Sequence, residues 1–121
     1  MSEPAESPNV NKPLPYASVR TRTFEKCMKD FEKKHNHEAL KRIPKALDEI
    51  RLDPYSTSKR LEGSLHTKRS MREGSFRIIF IICEECRKLS HQKENGCTFC
   101  EQMSDKTVIF VETGLRGGIY G

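Results

Sequence analysis

The chain has no tryptophan, only 35% hydrophobic residues, and a mean hydropathy of −0.72. Over 121 residues this is material for one domain with a modest core, and it leaves part of the chain outside any core. There is no apolar run of the roughly 18 or more residues that a membrane-spanning helix needs. The N-terminus lacks the basic-then-apolar pattern of a secretory signal. The expectation is therefore a cytoplasmic, reducing compartment and no membrane partner. Cysteines number five, an odd count, so a disulfide framework is the poorer use of them. Also missing are a His–Glu pair, a Ser–His–Asp arrangement, a Walker loop and a paired acidic cluster in convincing context. The familiar hydrolase and nucleotide-binding chemistries thus have no carrier. No internal repeat is visible.

Positive charge is plentiful. Lysine and arginine number 22 against 17 acids, for a net +5. The surplus is uneven: residues 1–18 hold Glu3 and Glu6 against Lys12, whereas Lys59, Arg60, Lys68, Arg69, Arg72 and Arg77 crowd into residues 59–77 against Glu62 and Glu73. A concentrated basic surplus points to a polyanionic partner, with a solvated basic face as the plain alternative.

Residues 1–18 carry Pro4, Pro8, Pro13 and Pro15 and few apolar side chains, the composition of a disordered or extended arm. Residues 19–23 alternate Val19, Thr21 and Thr23 with Arg20 and Arg22, a short strand, after which Thr23 can cap a helix. Phe24, Cys27, Met28 and Phe31 then recur at helical spacing; Cys27 reads as a small core residue. Asn36 is a plausible cap for a second helix with Leu40, Ile43, Leu47 and Ile50 on one face. Pro44 should kink or split that helix, and Asp53-Pro54 should end it. His35 and His37 read as solvated surface. Residues 59–66 read as a turn. Phe76, Ile78, Phe80 and Ile82 alternate with Arg77, Ile79 and Ile81 in one strand, and residues 107–113 supply its partner. The order predicts an α+β fold: two N-terminal helices packed on one face of a small antiparallel sheet, with the other face free.

Between those last two strands lie Cys83, Cys86, Cys97 and Cys100, a C-x2-C-x10-C-x2-C pattern over residues 83–100. Each x2 spacing lets a tight turn aim two thiolates at one ion, and two turns complete a tetrahedral S4 site. Gly96 gives backbone freedom beside the second pair. Zinc is the first choice on ligand softness, with iron in the same geometry behind it. Four thiolates leave no open position for water or substrate, so the ion would be a structural staple on an elongated hairpin tip. His91 lies between the pairs; it reads as an exposed loop histidine, with replacement of one cysteine the alternative. Arg87, Lys88 and Lys93 would offset part of the negative charge of a zinc tetrathiolate.

Three stretches carry a resemblance: "RLDPYSTSKRLEG", "SMREGSFRIIF" and "VETGLRGGIY". A helix ending at "DP", an "L-x-G" turn, an "R-x-G-x-[YF]-R-[IL]-[IV]-[YF]" strand and a final "R-x-x-x-Y" together resemble the RelE/ParE toxin superfamily, the RelE branch in particular. The resemblance covers residues 19–121, interrupted by the cysteine segment. It implies helices on one side of a curved antiparallel sheet, and the toxin of a toxin–antitoxin pair: a metal-independent endoribonuclease (mRNA interferase) that cleaves mRNA on the ribosome. It also implies an antitoxin partner, expected to be acidic and helical. On the family's motif, Arg77 falls on the strand arginine that stabilises the phosphate and Arg116 on the C-terminal strand arginine. Tyr120 falls on the terminal tyrosine that stacks on a base or assists proton transfer, and Lys68 near a basic position ahead of the strand. Lys59, Arg60, Arg69 and Arg72 are the accompanying candidates for RNA binding. Two positions depart from the pattern: Ser70 stands where a second basic residue is expected, with Arg69 or Arg72 as substitutes, and Leu115 stands where many relatives carry a histidine. The general base is left unassigned. Two other readings stand beside this one: a non-catalytic basic zinc-containing module that grips RNA, ribosome or protein, and a ParE-like toxin directed at DNA gyrase.

Overall fold

The computed structural model describes residues 14–63, 66–95 and 103–115. Cys97, Cys100, Arg116 and Tyr120 lie outside the described residues, as does most of the N-terminal arm. Strand β1 (Ala17–Arg20) leads into helix α1 (Arg22–Lys33) and helix α2 (His37–Leu52). Strands β2 (Lys59–Arg60), β3 (Arg69–Glu73) and β4 (Phe76–Ile82) follow, then the short helices α3 (Cys83–Lys88) and α4 (Gln92–Asn95), and strand β5 (Thr107–Leu115). The fold is α+β, with α1 and α2 on one face of a five-stranded sheet of order β1-β5-β4-β3-β2.

The sheet is mixed. β2, β3, β4 and β5 pair antiparallel, but β1 lies parallel to β5, with Ala17 opposite Thr107. The strand also takes in Ala17 and Ser18, and α1 is capped by Thr21, not Thr23. The Thr21 hydroxyl accepts the Phe24 amide at 3.1 Å and donates to the Val111 carbonyl at 2.6 Å. It thus satisfies an orphan N–H of the helix and ties the helix start to β5. We expect Thr21→Ala to destabilise the fold by about 1–2 kcal/mol in urea unfolding.

Asn36 caps α2 as expected, its side chain accepting the Ala39 amide at 3.1 Å. Pro44 lies inside α2 without splitting it, and the helix ends at Leu52. The apolar stripes of both helices meet the sheet: Phe24, Ile43, Leu47 and Ile50 are buried with Phe76, Ile78, Phe80, Ile82, Val108 and Phe110. Phe110 sits 5.7 Å from Phe24 and 6.2 Å from Phe80, ring centre to ring centre. The β3–β4 turn is two residues long, with Glu73 opposite Phe76. Gly74 takes φ +59° at its first position, where an L side chain is strained and glycine is not.

The far face of the sheet is only partly free. A register shift between Ile79 and Phe80 lets β5 present Ile109 and Val111 on that side. There they pack with Ile81 and with Cys83 and Cys86 of α3, forming a second small core that includes Met103. The cysteine segment therefore begins as a helix folded against the sheet, not as the tip of a long hairpin. Its ends are pinned together: the Glu84 amide donates to the Asp105 carbonyl at 3.2 Å, and Arg87 reaches the Asp105 carboxylate and the Met103 carbonyl.

Candidate functional site

Because strand side chains alternate faces, Met71, Phe76 and Ile78 enter the main core while Ser70, Arg72 and Arg77 face the other side. Beyond the edge of the second core, this uncovered part of the sheet forms a cleft of about 530 Å³. Lys59, Arg60, Arg72 and Arg77 line it together with Ser56, Thr57, Ser58, Ser70 and Glu62. The charge pattern nominated all four cations and the resemblance placed Arg77 among them; the sheet brings the four into one place.

Arg72 and Arg77 are directly opposite each other across β3 and β4. Like charges in that relation are destabilising unless an anion or solvent intervenes. On the other side of Arg77 the cross-strand neighbour is Gly114, which presents no side chain. No carboxylate among the described residues pairs with Lys59, Arg60 or Arg72; Glu73 turns instead to Arg42, and Glu85 to Arg69.

The wall of the cleft is a turn built by its own side chains. The Asp53 carboxylate accepts the Ser56 amide at 3.2 Å, the Thr57 hydroxyl donates to the Asp53 carbonyl at 2.9 Å, and the Ser58 hydroxyl donates to the Pro54 carbonyl at 2.6 Å. Hydrogen bonding from Ser56 holds the Asp53 carboxyl below its ordinary range. Pro54 is fully buried and anchors the turn from beneath.

Two sequence-nominated cations stand elsewhere. Lys68 precedes β3, half-buried, and does not line the cleft. Arg69, on the helix side of β3, is engaged by Glu85, Ser58 and Tyr55. Tyr55 donates its hydroxyl to Glu84 at 2.8 Å, and burial first, then Glu84, raises the phenol above its ordinary pKa. Sequence reading missed the hydroxyls of Ser56, Thr57 and Ser58; the "DP-x-S-T-S" run (an acid and proline followed by hydroxyl residues) is the signal for such a turn.

Of the four cysteines, Cys83 and Cys86 are described, both buried and one helical turn apart on α3. The Asn95 side-chain amide donates to the Cys86 sulfur at 3.2 Å. His91, expected as an exposed loop residue, is buried at 8% exposure, its backbone N–H donating to the Cys86 carbonyl at 2.8 Å. Among the described residues, no three His, Cys, Asp or Glu side chains come together as a metal cluster. The two described thiols suit one half of a soft-cation site.

A helix-backed sheet whose far face carries a basic cleft defines this chain's class by shape. No family model matches the sequence, and no curated protein sequence matches it either. Solved structures do match in fold. A chain of the toxin–antitoxin complex RelBE2 from Mycobacterium tuberculosis aligns at TM-score 0.57 and 18% identity, over 84% of this chain and 99% of that one. YafQ from E. coli aligns at TM-score 0.52 and 18% identity, over 88% and 99%. This chain therefore has the α+β fold of RelE-type toxins. No helix among the described residues is long and apolar enough to cross a membrane.

Proposed function

We propose that the protein is the toxin of a toxin–antitoxin pair and acts as an endoribonuclease on mRNA at the ribosome, with the basic cleft as its active centre. The observation that carries this reading is the facing pair Arg72 and Arg77, opposite each other across the strands and lining one cleft with Lys59 and Arg60. The fold likeness to a chain of the RelBE2 complex supports an antitoxin partner, for which an acidic helical protein is the complement of this surface.

The chemistry asks little beyond placed charge. The 2′-hydroxyl of the substrate attacks the adjacent phosphorus and the 5′-oxygen leaves, giving a 2′,3′-cyclic phosphate and a free 5′-hydroxyl. One proton leaves the 2′-oxygen and one arrives on the 5′-oxygen. Negative charge builds on the phosphoryl oxygens in between, where a preorganised guanidinium gains strength relative to the ground state. Arg77 and Arg72 take that role; Lys59 and Arg60 hold the flanking backbone, and the hydroxyls of Ser56 and Thr57 supply neutral donors. Arg116, Tyr120 and Lys68 enter by the family resemblance: Arg116 as a second phosphate ligand, Tyr120 against a base or in proton transfer, and Lys68 at the approach.

A bound zinc would be held by Cys83, Cys86, Cys97 and Cys100 and would supply a cross-link, not a reaction step. One observation favours the non-catalytic alternative, a module that grips RNA without cutting it. Glu62 is the only ionisable acid or base other than the cations along the described cleft, and it is exposed. Separating the two readings takes a cleavage assay on programmed ribosomes beside a binding assay with a short single-stranded RNA. On either reading, Lys59→Ala and Arg60→Ala should each weaken binding uniformly across sequences. Each should also reduce the log–log salt slope by about 0.7.

A further inference from the structure

The two residues between the first cysteine pair, Glu84 and Glu85, are not solvent-facing filler. Glu85 grips Arg69 bidentately: Nε to Oε1 at 3.0 Å and Nη2 to Oε2 at 2.9 Å. The two side chains are only 12% and 15% exposed. Such a fork-to-fork pair in a poorly solvated place is among the stronger and more directional polar contacts available to a protein. The same guanidinium donates from Nη1 to the Ser58 hydroxyl at 3.2 Å and lies 5.1 Å over the Tyr55 ring. Tyr55 in turn donates to Glu84 at 2.8 Å. Every described partner of the Arg69 side chain thus lies either on the cysteine helix or in the turn that walls the cleft.

That turn is closed by its own hydrogen bonds and anchored by Pro54, but its link to the rest of the sheet is slight. β2, which follows it, is two residues long and pairs only with Ser70 and Arg69. The cysteine helix, by contrast, is fixed by its buried thiols against Ile81 and Ile109 and by the Arg87–Asp105 clasp. Stiffness runs from the sheet, through α3, into Arg69 and Tyr55, and from there to Ser58.

The geometry points to Arg69 and Glu85 as positioning residues, by which the cysteine-bearing segment sets the place of the Ser56–Arg60 wall and so the shape of the basic cleft. This rests on the cleft being the functional site, but the mechanical part stands apart from that reading. It also gives the segment a purpose beyond stapling its own ends. Charge alone does not suffice for the device, because lysine cannot reproduce a planar fork that serves Glu85, Ser58 and Tyr55 at once.

The test uses the full chain and the variants Arg69→Lys, Glu85→Gln and the double variant, which also separate a local from a global effect. Amide hydrogen exchange at residues 56–60 should accelerate by roughly tenfold or more in each single variant, since each loses charged hydrogen bonds. The double variant should add little, because both changes break one device. Exchange in β4 and β5 should stay as in wild type. Unchanged protection at 56–60 overturns the proposal, and so does an equal loss throughout the sheet. Where wild type cleaves mRNA, the variants should raise KM more than they lower kcat; unchanged kinetics despite a loosened wall overturn the functional half. Where wild type does not cleave, the exchange data still decide the mechanical half, so the two failures are distinguishable.

Discussion

Arg77→Ala should reduce ribosome-dependent mRNA cleavage by roughly 10²- to 10³-fold, the loss typical of deleting one preorganised donor to a transition-state anion. The basis is position. Arg77 projects from the central strand of the sheet, between Arg72 on one neighbouring strand and Gly114 on the other. Its strand is fixed by Phe76, Ile78, Phe80 and Ile82 in the main core, so little reorganisation is needed when charge develops. Arg77→Lys should recover part of the loss, because it restores charge but not the planar fork. The side chain lies outside the main core, and a thermal melt of each variant beside wild type separates loss of activity from loss of fold. Growth arrest on expression, scored beside the purified cleavage assay, gives the same ordering. Full activity in Arg77→Ala would remove the residue from the mechanism.

The second large effect concerns metal. Purified protein should carry about one zinc per chain, and chelation should lower the thermal midpoint by about 10 °C or more, the shift expected for a few kcal/mol in a domain of this size. The reason lies in Cys83 and Cys86. Both are buried beside Ile81 and Ile109, and Cys86 accepts a hydrogen bond from Asn95. Loss of a cation bound by all four sulfurs would remove the cross-link between α3 and the second cysteine pair. The damage should concentrate in α3 and α4, leaving the α1–α2 core folded. A metal content near zero, with no response to chelator, would remove zinc from the account.

Much of this architecture is legible in the sequence because it is written in short-range patterns. The stripe Phe24, Met28 and Phe31, the Asn36 cap and the alternation from Phe76 to Ile82 each follow from a local period or a single side-chain hydrogen bond. What a local pattern cannot carry is which distant strand lies beside which. The parallel pairing of β1 with β5 joins residues about 90 positions apart, and nothing in residues 17–20 specifies it. The start of α1 shifts for a related reason: the local pattern puts the cap at Thr23, and the Thr21 bond to the Val111 carbonyl helps fix the cap two residues earlier.

The site divides in the same way. Arg77 and Arg72 could be read off the motif and its alternation. The charge run Lys68-Arg69 could not be sorted by sequence into a half-buried lysine and an arginine clasped by Glu85, because that clasp depends on α3 folding back against the sheet. A helix had no clear advertisement there: Cys-x-x-Cys suggests a turn, and α3 is only six residues long. Its placement depends on burial of Cys83 and Cys86, a tertiary effect that overrides the local signal.

The central claim is that the basic cleft cleaves RNA through the substrate's own 2′-hydroxyl, and one measurement meets it directly. Ribosomes programmed with an mRNA are incubated with wild-type protein, the cut position is mapped, and the same message is then supplied with a single 2′-deoxy nucleotide on the 5′ side of that position. The account predicts cleavage of the all-ribose message with a 2′,3′-cyclic phosphate end, and no cleavage at the substituted position. Equal cutting of both messages, or no cutting of either, would contradict it.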